Sequence, residues 1–82
     1  MTYQVWFEGD ALVQLRGLPA AGFEALVARV VELVHAPWDA TVMPPGDDPA
    51  YRQAVFGSWG ILTFHVNDDA EQIRIFDLLW AG

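Results

Sequence analysis

Apolar and polar side chains alternate along residues 3–8, with Tyr3, Val5 and Phe7 on one side and Gln4, Trp6 and Glu8 on the other. A period of two in residues that favour extended backbone predicts a first strand. Gly9 and Asp10 end it, and Asp10 is placed to cap a short helix over 11–16. Gly17, Leu18 and Pro19 break that helix. From about 20 to 36 the period changes. Phe23, Leu26, Val27, Val30, Leu33 and Val34 recur at helical spacing, while Glu24, Arg29 and Glu32 lie largely off the stripe. Gly22 weakens the early turns, Pro37 stops the helix, and His35 falls in its last turn.

The stretch DATVMPPGDDPA, residues 39–50, predicts a loop or a short edge strand, because Pro44, Pro45 and Pro49 cannot donate to a ladder. Strands follow at 51–56, 59–66 and 72–79. The first two are joined by a tight turn at Phe56-Gly57-Ser58-Trp59, the last two by Asn67-Asp68-Asp69-Ala70. The order β-α-α-β-β-β predicts one α+β domain over 1–82, an antiparallel-rich sheet with both helices packed on one face.

Alternation also sets Trp6 opposite Tyr3, Val5 and Phe7, and sets Leu62, Phe64 and Val66 opposite Ile61, Thr63 and His65. Both sheet faces are therefore apolar in pattern, and one layer of helices covers one of them. Either a partner segment or a second copy of the chain covers the other, or the sheet curls so that its rings cover one another. Trp6, Phe56, Trp59, Leu62, Phe64 and Trp80 are the candidate binding residues on this reading.

Composition narrows the chemistry. Of the 82 residues 54% are hydrophobic and 18% charged, which excludes a disordered chain. There is no cysteine, so no disulfide and no thiolate metal site is available. MTYQVWFEGD does not read as a secretion signal, and no apolar run is long enough to span a bilayer, so the expected location is the cytoplasm. Four arginines and no lysine stand against eleven carboxylates, for a formal charge of −7. Nucleic-acid binders draw affinity from neutralising phosphates, so contact with RNA or DNA is disfavoured.

His35 and His65 lack a carboxylate at metal-ligand spacing, and His65 reads as a packed or hydrogen-bonded histidine; no metal and no cofactor are expected. Asp47-Asp48 and Asp68-Asp69-Ala70-Glu71 lack the alternating oxygens and glycine turn of a calcium loop and read as solvated turns.

The segment AYRQAVFGSWGILTFHV, residues 50–66, resembles the central hairpin of the RelE/ParE family of bacterial toxins. Leu18-Pro19 after the short helix, Pro37-Trp38 after the long one, Tyr51-Arg52 and Gly57-Ser58-Trp59 are similar to family features in the same order, across nearly the whole chain. The resemblance implies a toxin–antitoxin setting with an antitoxin-like partner. RelE relatives are ribosome-dependent endoribonucleases, and ParE relatives act on gyrase. Cleavage there relies on basic side chains that steady a phosphorane-like transition state.

Carried over by position, Arg52 matches a basic site residue and is the one catalytic candidate. Ala54 stands where a second basic residue is usual, Gly60 where an arginine follows the aromatic, and Thr63 where an aromatic is usual. A basic C-terminal segment would begin near Trp80-Ala81-Gly82. The expectation is a toxin-family protein with weak or no mRNA endonuclease activity, working through protein contacts. Two alternatives stand beside it: an active translation inhibitor with an altered site, and an unrelated α+β module that dimerises through an apolar sheet face.

Overall fold

The computed structural model describes residues 2–42, 46 and 48–82; Pro44, Pro45 and Asp47, singled out above, lie outside the described residues. Seven elements follow one another: β1 Gln4–Phe7, α1 Asp10–Arg16, α2 Ala20–Leu33, β2 Thr41–Val42, β3 Tyr51–Phe56, β4 Gly60–Asn67 and β5 Gln72–Trp80. The strands form one sheet in the order β1-β5-β4-β3-β2. β1 runs parallel to β5, and every other neighbouring pair is antiparallel. This is the α+β arrangement expected, with the edge strand of the proline-rich stretch realised as β2.

Both helices lie on one face and close a single core. Ala11, Leu26 and Leu33 from the helices meet Phe56, Leu62, Phe64, Ile73 and Ile75 from the strands. Burying one such large side chain contributes about 1.5–3 kcal/mol. The face under the helices therefore supplies most of the stability, and the opposite face supplies little.

The element ends differ from the sequence pattern for local reasons. Asp10 is not the cap of α1: Gly9 holds that place at φ +52°, and Asp10 is the first helical residue, its carboxylate in the first turn. α2 stops at Leu33 rather than near 36. The Val34 carbonyl accepts from the Tyr3 N–H at 2.9 Å, and Glu32 O takes both the His35 and Ala36 N–H groups. Pro37 then disfavours helix at Ala36, which leaves His35 in a turn beyond the helix.

β5 carries a bulge. Thr63 pairs with Asp77 while Phe64 pairs with Ile75, leaving Phe76 as the extra residue. Beyond Ile75 the edge of β5 no longer meets β1, and Gln14 of α1 takes the place of a strand. Its Oε1 accepts from the Leu78 N–H at 2.8 Å, and its Nε2 donates to Asp77 Oδ1 at 3.0 Å.

Candidate functional site

The β3–β4 hairpin turns through Gly57, Ser58 and Trp59. Gly57 has φ +61°, and a Cβ there would stand 3.0 Å from the Ala25 Cβ of α2, so this position needs glycine twice over. Phe56 and Gly60 are cross-strand partners. A Cβ on Gly60 would lie 2.6 Å from the ring carbons of Phe56. That ring is fully buried and stacked on Trp80, with centroids 5.6 Å apart and planes at 19°. Gly60 is thus more than a missing arginine: the floor under Phe56 has no room for any side chain.

Arg52 is spent on structure. Its Nε–H donates to Pro49 O at 2.6 Å, and Nη1 donates to Ala40 O at 2.9 Å. The guanidinium carbon sits 4.9 Å from the centre of the Trp38 ring. These contacts tie both ends of the 38–50 connection to β3. Ala54 is buried beside Leu62, and Thr63 is buried between Gln53 and Asp77 on the alternate side of the sheet.

Gly60 lies opposite Phe56, four residues along β3 from Arg52, a separation of about 13 Å at strand rise. The four positions named by the resemblance do not converge. They offer one guanidinium with two of its N–H donors committed, and no second charge.

A concavity of about 750 Å³ opens beside these residues between the C-terminal half of α2, residues 38–41 and the β3–β4 ladder. Arg29, Glu32, Trp38, Gln53, Ala54 and Ile61 are among its lining residues. Arg29 donates to Asp39 O at 2.8 Å and stands 3.6 Å from Glu32, so its charge is already met within the wall. Arg74 pairs with Glu8 at 3.4 Å. Arg16 is exposed at the end of α1, without a hydrogen bond or ion pair among the described residues. Positive charge is therefore scattered, and no cluster of arginines gathers as a phosphate cradle among the described residues. Among the described residues no three His, Asp or Glu groups gather as a metal site.

The candidate binding residues divide. Trp6 and Trp59 are exposed, Trp59 by 64%. Phe56, Leu62 and Phe64 are fully buried under the helices, which corrects the expectation that they line an accessible face. Trp80 is half-buried against Phe56, and its indole N–H finds no partner among the described residues. The outward sheet face carries instead a row of cross-strand neighbours, Val55, Ile61 and Leu79, all exposed. Further along it, Tyr51 packs edge-on against His65 at 4.8 Å and against Phe76 at 5.9 Å.

The sequence reading missed an apolar groove on the helix side. Phe7, Leu15, Phe23, Val27, Val30 and Val31 line it around the buried Leu26, enclosing about 220 Å³. A trace of it was present in the pattern: the apolar stripe of α2 is too wide for one face.

No protein-family model and no curated protein matches the sequence. Solved structures do. A chain of the RelBE2 toxin–antitoxin complex from Mycobacterium tuberculosis superposes with a TM-score of 0.84 at 18% identity, covering 99% of this chain and 93% of that one. The isolated RelE toxin of E. coli gives 0.83 at 22% identity, over 98% and 85% of the two chains. The archaeal RelE–RelB complex from Pyrococcus horikoshii gives 0.75 at 24% identity, over 100% and 98%. Across its whole length, then, this chain is built on the fold of the RelE toxins.

Proposed function

We propose that this chain is a RelE-fold protein of a toxin–antitoxin setting, with little or no ribonuclease chemistry, acting through protein contacts in the cytoplasm. The observation that carries this reading is Phe56 lying over Gly60, where the resemblance places an arginine. A phosphorane-like transition state needs converging cations. Here Arg52 is held by two backbone carbonyls, and the net charge of −7 repels RNA at long range. The solved structures that share this fold include E. coli RelE bound to a peptide of the antitoxin RelB and the intact RelBE complex, which supports an antitoxin-like partner for this chain as well.

The test is induced expression of the chain alone in a bacterial host. Growth and messenger RNA integrity are expected to match those of an empty vector. Codon-specific cleavage on ribosomes overturns the reading in favour of an active translation inhibitor with an altered site. The Gly60→Arg variant is expected to remain inactive; a gain of cleavage there shows that the site has been misassigned.

A further inference from the structure

We propose that the groove between α1 and α2 is the docking surface for a basic amphipathic helix of a partner protein. The inference rests on the protein-contact reading above and supplies the surface and the chemistry of its occupant. α2 carries two apolar stripes. Leu26, Val30 and Leu33 face the sheet and complete the core. One stripe about 100° wide is what a helix needs to cover a core. The second stripe, Phe23, Val27 and Val31, recurs at every fourth residue and stays 47%, 45% and 55% exposed. Leu15 of α1 and Phe7 of β1 build the facing wall, and every lining side chain is apolar. A row spaced by four residues on a 14-residue helix leaves a groove that the side chains of another helix fill at matching spacing.

Charge selects the occupant. A second copy of this chain would bring two bodies of −7 together, which repel each other. A nucleic acid finds only apolar side chains in the walls. The two helices carry Asp10, Glu24 and Glu32 against Arg16 and Arg29, and Arg29 is already engaged by Glu32 and Asp39 O. An apolar ridge flanked by lysine or arginine fills the groove and is drawn in by the field of the whole protein.

The experiment selects 16-residue segments displayed on phage against the full chain. The segments carry apolar residues at four-residue spacing, with every other position randomised. Enriched segments are expected to reach a net charge of about +3, and their binding to weaken several-fold between about 50 and 300 mM NaCl. Val27→Arg is expected to cut affinity about tenfold or more, since it sets an exposed cation in the groove against a basic ligand. Val55→Arg, on the other sheet face, is expected to leave binding unchanged.

Enrichment of neutral or acidic segments, no enrichment, or binding indifferent to Val27→Arg each overturns the proposal. Sedimentation showing a dimer that Val27→Arg splits overturns it by assigning the groove to a second copy. Ribosome-dependent cleavage is read separately. An RNA-cleaving protein that selects basic helices would sink the functional reading and leave this one standing; an inactive protein that selects none would do the reverse.

Discussion

At the scale of single residues, Gly60 and Arg52 show how packing and backbone contacts constrain the β3–β4 hairpin. The Phe56 ring occupies the space a Cβ at position 60 would need, and it is fully buried and stacked on Trp80. Gly60→Ala is therefore expected to destabilise the protein by about 1–3 kcal/mol, the usual cost of forcing extra volume into a packed core. Urea unfolding measures this directly. Phe56→Leu in the same chain should recover part of the loss, because it removes the clashing ring; if the two changes simply add, Phe56 is not the obstacle. The sequence displayed Gly60 as an absence. It did not reveal the reason, because the clash is with a ring stacked on Trp80, twenty residues further on.

Among the elements, β5 depends on α1 in a way that no strand pattern announces. β1 stops pairing at Ile75, and the Gln14 carboxamide satisfies the Leu78 N–H on the edge left open. Gln14→Ala is expected to cost about 1–2 kcal/mol, the penalty of a backbone donor left without a partner. Amide exchange distinguishes a local from a global effect. Leu78 should lose protection ahead of Ile73, which lies where β5 is paired on both sides. Equal loss at both amides would mean that Gln14 acts through overall stability alone.

The strands and both helices were legible from periodicity to within a few residues. Their ends were not, because Val34, Glu32 and Gly9 settle them through contacts the local pattern does not contain.

For the whole molecule, closure and charge matter most. The Tyr3 hydroxyl donates to Asp68 Oδ1 at 2.6 Å, joining the start of the chain to the β4–β5 turn. That hydrogen bond, with smaller help from desolvation and the nearby negative charge, pushes the Tyr3 phenol above its ordinary value of 10.0. The unfolded chain then ionises first as pH rises. The stabilisation is full below about pH 10 and is lost as pH climbs through the raised value in the fold. Urea midpoints measured across this range should fall more steeply for the natural sequence than for Tyr3→Phe. The chain has no lysine and only two tyrosines, so few other groups titrate there. Parallel curves for the two proteins would remove Tyr3 as the cause.

The sequence by itself determined which residues share a face, because strand and helix periods are properties of the local backbone. It also determined the absence of thiol chemistry and the scarcity of positive charge, which are matters of composition. The tertiary structure alone decided which sheet face the helices cover, since alternation is symmetric between the two. That choice buried Phe56, Leu62 and Phe64 and left Val55, Ile61 and Leu79 outside. It likewise gave Arg52 its second backbone acceptor, because the Ala40 carbonyl, twelve residues away in sequence, comes within reach only in the fold, whereas that of Pro49 is a near neighbour along the chain.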